Sequence, residues 1–205
     1  MRKLIVEEWI SLDGYVSNKA SKLDFFVKYV RESYMSEYRL EFLNTIDTIV
    51  FGRETYNQFA GLWPDRPIEK EAQAEKMNTA KKIVFSSTLS KAPWGKWEEA
   101  EIENGNLIVR LNELKSMPGK DIVVWGSITI AQNLMNENLI DEYHIHLCPT
   151  LTAGGRKFFT EELQASSLTL VETKRQTVRK QLALIPINSY APDSSVSASI
   201  TLAIF

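Results

Sequence analysis

The sequence predicts an α/β protein with a mixed, mostly parallel β-sheet, helices on both faces, and an antiparallel edge formed by its C-terminal strands. Up to about residue 140, short apolar runs alternate with segments of helical periodicity. This pattern is typical of parallel strands joined by crossover helices. Beyond that point one strand pattern follows another without a helical segment between them. Such strands are expected to pair antiparallel, because a short turn suffices to connect them.

The first half of the chain is predicted to contain buried strands separated by helices. A strand from Leu4 to Trp9 precedes a turn at 11–15. Apolar side chains then recur at helical spacing from Asp24 to Phe42, as one helix or as two that break near 33–36. The elements that follow are a strand at 48–51, a helix from Arg53, a loop at 63–67, a helical segment at 68–80, a strand at 82–85 and a weaker strand pattern at 97–102.

The second half is predicted to begin with a helix at 107–117, which Pro118-Gly119 ends. A buried strand at 122–125 leads into a helix that runs through Leu139. The elements predicted after it are a strand at 141–147, a flexible loop at 152–156 and closing strands at 168–172, 181–187 and 197–204.

Composition excludes several classes of protein. With 205 residues the chain is long enough for one domain with a sizeable core, and 24 basic against 26 acidic residues give a net charge of −2. That balance argues against a nucleic-acid or anionic-membrane binder. A single cysteine, Cys148, and two histidines exclude an internal disulfide and leave too few ligands for a zinc site, so we expect no metal. With neither a long apolar run nor a targeting segment visible, we expect a cytoplasmic protein that works in a reducing compartment.

Three predicted strand ends carry residue types suited to phosphate binding. In an open α/β sheet, ligands bind where strand ends feed helix N-termini, whose free N–H groups and dipoles favour anions. The first strand end offers a glycine, a guanidinium and a hydroxyl, the second offers three hydroxyls, and the third repeats glycine and hydroxyl at a helix start. These residues are Gly52, Arg53 and Thr55, then Ser86, Ser87 and Thr88, then Gly126, Ser127, Ile128 and Thr129. Their recurrence at equivalent places predicts a ligand with more than one phosphate, such as a dinucleotide.

Each of these signals also has a purely structural interpretation. Gly52 is compatible with a tight turn, and the serines at 86–87 and at 127 are compatible with turns or helix caps. Neither G-x-G-x-x-G nor a P-loop motif occurs. His144 and His146 share a strand face, where structural or solvent-facing roles are favoured over metal binding, and Cys148 is expected to be a small buried side chain.

Taken together, these segments resemble the dihydrofolate-reductase-like superfamily. Within it, the chain is similar to single-domain proteins related to the C-terminal reductase domain of the bifunctional riboflavin-biosynthesis deaminase/reductase. The matching segments are Ser-Leu-Asp-Gly at 11–14, Ile-Val-Phe-Gly-Arg-Glu-Thr-Tyr at 49–56, Lys-Ile-Val-Phe-Ser-Ser at 82–87, Val-Val-Trp-Gly-Ser at 123–127, Ile-Asp-Glu-Tyr-His-Ile-His at 140–146, Pro149 and Gly-Gly-Arg at 154–156. The likeness covers residues 1–174, expected to form the reductase domain. Residues 175–205 are either a C-terminal extension or divergent closing strands.

The resemblance implies an NADPH-dependent reductase that acts on a small pyrimidine- or pterin-like heterocycle, similar to 5-amino-6-(5-phosphoribosylamino)uracil reductase. The alternatives are dihydrofolate reduction and a non-catalytic NADPH-binding sensor or scaffold. By analogy, Gly52, Arg53 and Thr55 would bind the phosphates of the cofactor. Ser86 and Ser87 would lie near its adenosine ribose, and Gly126 to Thr129 would hold the pyrophosphate and nicotinamide side.

The resemblance leaves the source of the proton open among Asp13, Asp24 and water, with Asp13 favoured as the catalytic residue. Each aspartate also has a structural interpretation, because Asp13 precedes Gly14 in a turn and Asp24 stands at a helix start. A homodimer is compatible with the family, although the sequence indicates no interface.

Overall fold

The computed structural model describes residues 1–33, 37–69, 71–163, 167–175 and 198–204. In chain order the helices and strands are β1 (Leu4–Ser11), α1 (Asp24–Ser33), α2 (Glu37–Thr45), β2 (Ile46–Gly52), α3 (Arg53–Ala60), α4 (Ala72–Thr79), β3 (Lys81–Phe85), β4 (Glu101–Glu103), α5 (Leu107–Ser116), β5 (Asp121–Trp125), α6 (Ile128–Asn136), β6 (Glu142–Cys148), β7 (Leu168–Arg175) and β8 (Ala198–Ile204). The strands form one sheet in the order β4-β3-β2-β5-β1-β6-β8-β7. The predicted α/β class with a mostly parallel sheet is confirmed.

Most predicted elements occur close to their predicted positions, with a few differences. The helical pattern from Asp24 to Phe42 forms two helices, α1 and α2, as the second alternative proposed. Of the segment 68–80 only Ala72–Thr79 is helical, and the weak pattern at 97–102 yields the three-residue strand Glu101–Glu103. The strand predicted at 181–187 lies outside the described residues.

The C-terminal edge differs from the expectation. β8 pairs with both β6 and β7, and both pairings are parallel rather than antiparallel. Parallel neighbours need a connection of a dozen or more residues, and residues 176–197 between β7 and β8 provide that length. The strand predicted at 197–204 is therefore a member of the sheet, whereas the domain boundary near residue 174 stays a prediction.

Helices cover both faces of the sheet, as predicted. One apolar core joins α5 and α6 to the face of β1 that carries Leu4, Val6 and Ile10. A second core joins α2, α3 and α4 to the opposite face, which carries Ile5. β1 is buried along its whole length, because it lies in the interior of the sheet between β5 and β6. None of the helices in the described part of the chain is long and apolar enough to span a membrane.

Glu7 is a buried carboxylate held by two partners. Its Oε1 accepts hydrogen bonds from the Arg39 guanidinium and from His146 Nε2, the latter at 2.6 Å. Burial alone would raise the pKa of Glu7, but the Arg39 charge and the His146 hydrogen bond outweigh it and hold that pKa below its usual value. Burial likewise lowers the pKa of His146, which stacks on Trp9 with ring centroids 4.3 Å apart. His146 thus has the structural role that the sequence favoured, inside the protein rather than at its surface.

Glu8 points to the opposite face of β1, where it is also buried but has no charged partner among those named for Glu7. Only 6% of it is exposed, and its Oε1 accepts the Trp9 N–H at 2.9 Å. Burial raises the pKa of Glu8 to about 8. At neutral pH this side chain is therefore mostly an uncharged acid inside the core.

We expect Glu8→Gln to stabilise the protein in a pH-dependent way. Between the ordinary pKa of 4.5 and about 8, the unfolded chain releases a proton that the folded protein keeps, so wild-type stability falls as pH rises. The accumulated penalty is about 3 kcal/mol at pH 7, at about 1.4 kcal/mol per pH unit. Urea unfolding should therefore show near-equal stabilities at pH 5 and a more stable variant at pH 7.5.

The matched control is Glu113→Gln on α5, where the side chain is 55% exposed. This substitution should change stability by less than about 0.5 kcal/mol. An equal effect of Glu8→Gln at both pH values would contradict the uncharged state of Glu8.

Candidate functional site

The three predicted strand ends meet in one cleft. β2 pairs in parallel with β3 on one side and with β5 on the other, so all three strands end at the same edge of the sheet. The cleft at this edge has a volume of about 400 Å³. Its lining includes all nine residues that the sequence singled out for cofactor binding, namely Gly52, Arg53, Thr55, Ser86, Ser87, Gly126, Ser127, Ile128 and Thr129.

Two helices begin at this cleft without a side-chain cap. The N-cap residues of α3 and α6 are Gly52 and Ser127, and neither accepts a capping hydrogen bond through its side chain. By contrast, the Asn106 side chain caps α5 by accepting hydrogen bonds from two backbone N–H groups. The first-turn N–H groups of α3 and α6, together with both helix dipoles, therefore favour an anion in the cleft.

The Ser127 hydroxyl joins the ends of β2 and β5. Its Oγ accepts the Gly52 N–H at 2.6 Å and donates to Thr55 Oγ1 at 3.2 Å. Thr55 Oγ1 in turn donates to the Gly126 carbonyl oxygen at 3.2 Å. Gly126 has a φ of +63°, and a Cβ there would lie 3.3 Å from Thr55 Cγ2, so the backbone conformation and the close packing both favour glycine.

The β3 side of the cleft carries a guanidinium beside hydroxyl groups. Arg53 donates to Thr88 Oγ1 at 2.9 Å and also forms an ion pair with Glu54 at 2.8 Å. Ser86 Oγ accepts the N–H groups of Thr88 and Leu89, at 3.2 and 3.1 Å. Ser86 thus has the turn-forming role that the sequence left open, whereas Ser87 and Thr88 are exposed along the cleft.

The opposite side of the cleft contains Arg156, which the sequence placed in a flexible loop and in the family-matching segment at 154–156 but did not assign to the site. Its Nη2 donates to Thr129 Oγ1 at 2.8 Å and to Gln132 Oε1 at 3.4 Å. Glu54, Phe85 and Ile130 also line the cleft without having been assigned to the site, and Thr88 lines it as one of the three hydroxyls named at the second strand end. The Gly-Gly-Arg segment at 154–156 was the one signal for Arg156, because a basic side chain after two glycines marks a loop able to approach a ligand.

Asp13 is not among the residues that line the cleft. Its carboxylate accepts hydrogen bonds from Ser11 Oγ at 2.6 Å, from the Thr152 N–H at 3.2 Å and from the Ala153 N–H at 2.9 Å. Burial opposes ionisation of this carboxyl, but the three hydrogen bonds outweigh it and lower the pKa of Asp13. Asp13 is therefore ionised at neutral pH, and its geometry gives no support to the predicted role as proton donor.

Asp24 and Cys148, which the sequence analysis also considered, lie in surroundings with a structural explanation. Asp24 accepts a hydrogen bond from Asn18 Nδ2 at 3.0 Å and is exposed at the start of α1. Cys148 is buried beside Trp9 and Tyr29, as expected for a small core side chain. Within the ranges that the structure describes, no three His, Cys, Asp or Glu side chains lie close enough together to hold a metal ion.

Two proteins of Bacillus subtilis are similar to this chain over most of its length. Uncharacterized protein YyaP of Bacillus subtilis (strain 168) is 28% identical over 176 residues, which cover 84% of this chain and 88% of that protein. Uncharacterized protein YwjB of the same strain is 25% identical over 174 residues, covering 85% and 92%.

Two solved structures share the fold. A putative riboflavin biosynthesis protein from Shewanella sp. PV-4 matches with a TM-score of 0.62 and 26% identity, over 80% of this chain and 86% of that one. A diaminohydroxyphosphoribosylaminopyrimidine deaminase/5-amino-6-(5-phosphoribosylamino)uracil reductase from Thermotoga maritima matches with a TM-score of 0.51 and 12% identity. This second match covers 80% of the present chain but 49% of the bifunctional protein, and at that identity it shows the fold alone.

The family model for the RibD C-terminal domain matches residues 2–184. This range spans β1 to β7 and every residue that lines the cleft. The chain belongs to the RibD C-terminal domain family, with the dihydrofolate-reductase-like fold of its reductase-domain relatives.

Proposed function

We propose that this protein is an NADPH-dependent reductase of a small pyrimidine- or pterin-like heterocycle, similar to 5-amino-6-(5-phosphoribosylamino)uracil reductase. The observation that carries the proposal is the convergence of two uncapped helix N-termini and two arginines on one cleft. Such a donor set suits a ligand with several phosphates. Membership of the RibD C-terminal domain family supports reduction as the reaction class.

The residues of the cleft fit a phosphorylated dinucleotide. Arg53, Ser87 and Thr88 lie together on the β3 side and would hold a 2′-phosphate, which distinguishes NADPH from NADH. The first turns of α3 and α6 would hold the pyrophosphate. When bound, NADPH supplies a hydride, so the chain itself has to bind, orient and shield rather than react.

The aromatic side chains at the end of β1 suit a planar heterocyclic substrate. β1 is the next strand after β5 in the sheet. Trp9 stacks on Phe26 with ring centroids 6.0 Å apart, and the half-buried Phe25 meets Phe26 edge to face at 5.2 Å. Trp9 is buried and already stacked on Phe26 and His146, so the half-buried Phe25 and Phe26 are the rings that would stack on a flat substrate. Because the Asp13 carboxylate is ionised and committed to hydrogen bonds, we assign the proton that accompanies the hydride to water.

The proposal predicts that the protein binds NADPH and oxidises it when a suitable heterocycle is present. Titration followed by tryptophan fluorescence measures binding, and loss of absorbance near 340 nm measures turnover. We expect turnover with a ribosylaminouracil phosphate and much less with dihydrofolate. Binding without turnover on either substrate would favour the sensor or scaffold alternative, and absence of NADPH binding would overturn the proposal.

Arg53→Ala should weaken NADPH binding roughly ten- to hundredfold, as expected for the loss of a hydrogen bond to a charged group. The effect on NADH should be much smaller, because NADH lacks the 2′-phosphate. Arg110→Ala is the control, since Arg110 pairs with Glu101 and Glu103 and does not line the cleft. Equal losses for both cofactors would show that Arg53 does not contact the 2′-phosphate.

Ser127→Ala should lower both stability and NADPH affinity. The substitution removes the acceptor of the Gly52 N–H, and a lost hydrogen bond of this kind costs about 1–2 kcal/mol of unfolding free energy. Since the same hydroxyl joins the ends of β2 and β5, affinity should fall several-fold. Ser116→Ala on α5 provides the control, because the Ser116 hydroxyl donates to the Glu113 carbonyl oxygen of its own helix. If Ser127→Ala left the affinity for NADPH unchanged, the Ser127 hydroxyl would not contribute to the binding site.

A further inference from the structure

The loop that carries Arg156 is packed tightly against the turn that follows β1. We call residues 152–156 the arginine loop. Arg156 bonds to this turn through both backbone groups, because its carbonyl accepts the Val16 N–H at 2.8 Å and its N–H donates to Ser17 Oγ at 3.2 Å. A Cβ on Gly155 would lie 1.9 Å from the Ser17 carbonyl oxygen, so this approach requires glycine.

Asp13 holds the other end of the arginine loop. Its two carboxylate oxygens accept the backbone N–H groups of Thr152 and Ala153, at 3.2 and 2.9 Å. Ser11 Oγ donates to the same carboxylate at 2.6 Å and orients it. Hydrogen bonds from N–H groups to an ionised acceptor are stronger than neutral ones. The carboxylate thus fixes the course of the chain just before Gly154.

The Arg156 guanidinium lies in the cleft, and the side chains that accept its hydrogen bonds carry no charge. Its side-chain partners, Thr129 Oγ1 and Gln132 Oε1, are both neutral. In the described part of the chain Arg156 forms no ion pair, unlike Arg53 with Glu54. The buried Glu8 also senses the Arg156 charge, but its pKa of about 8 leaves it mostly protonated at pH 7. An arginine with neutral partners beside the N-terminus of α6 is ready to bind an anion.

We propose that Arg156 binds a phosphate group of the ligand on the β5 side of the cleft, and that Asp13 is the positioning residue that holds the arginine loop for this contact. The proposal deepens the proposed function and rests on it, because it takes the ligands to be phosphorylated. The phosphate belongs either to the pyrophosphate of the cofactor or to a phosphorylated substrate. Asp13 acts through Arg156 and touches neither ligand.

A double-mutant cycle on Asp13→Ala and Arg156→Ala tests this division of roles. Affinities for NADPH and for inorganic pyrophosphate are measured by titration calorimetry on all four proteins. We expect Arg156→Ala to weaken binding at least tenfold and Asp13→Ala to weaken it several-fold. The double variant should bind no more weakly than Arg156→Ala alone, and Asp13→Asn should recover part of the loss because its amide oxygen still accepts a backbone N–H. A further loss from Asp13→Ala when Arg156 is absent would overturn the positioning role.

Substrate kinetics identify the source of the phosphate. If the substrate carries it, Arg156→Ala leaves NADPH affinity unchanged and raises KM for the phosphorylated aminouracil but not for its dephosphorylated form. If neither affinity nor KM changes in a variant with wild-type thermal unfolding, the Arg156 contact is wrong while the reductase proposal stands. If the wild type binds pyrophosphate through Arg156 but not NADPH, the reductase proposal fails and the anion site stands. If the wild type binds neither, both proposals fail.

Discussion

The parallel pairing of β2 with β5 is the constraint on which the candidate site depends. Because the two strands run side by side in the same direction, α3 and α6 begin next to each other. Ser127, placed to cap its own helix, instead accepts the N–H of Gly52 on the neighbouring strand. Both helix ends are left with free donors at one point. The anion binding that we propose for the cleft would thus follow from strand direction, and such a cleft forms without a glycine-rich fingerprint.

The sequence predicted the parts of the site whose signal is local. Gly52 with Arg53, and Gly126 with Ser127, each lie within a few residues of a buried apolar run, so a strand end followed by a helix start is visible in a short window. The hydrogen-bond partners of the Asp13 carboxylate could not be predicted from the sequence, because Thr152 and Ala153 are 139 and 140 residues away. Its own surroundings, a Ser-Leu-Asp-Gly turn, contain nothing that points to that loop.

The difference between local and long-range signals also explains why the C-terminal edge of the sheet was predicted to be antiparallel although it is parallel. The strand from Leu4 was predicted correctly, but the direction of β8 depends on residues far from it in sequence and on a connection that carries no strong helical pattern. Glu7 and Glu8 are acidic residues within the strand predicted from Leu4 to Trp9, and the sequence does not show how the core accommodates them. In the folded protein one carboxyl is paired with Arg39 and the other is uncharged, and these are the two ways in which a protein interior accommodates an acid.

The central position of β1 has a consequence for synthesis. β1 precedes both of its neighbours in the chain: it pairs with β5, where Leu4 lies opposite Ile122, and with β6, where Ser11 lies opposite Cys148. During synthesis this apolar segment therefore cannot pair with both of its neighbours until the chain has been made as far as Cys148. In the unfolded chain the carboxyls of Glu7 and Glu8 are both ionised in water. Their negative charges disfavour association of the unpaired β1 segment with other unfolded chains.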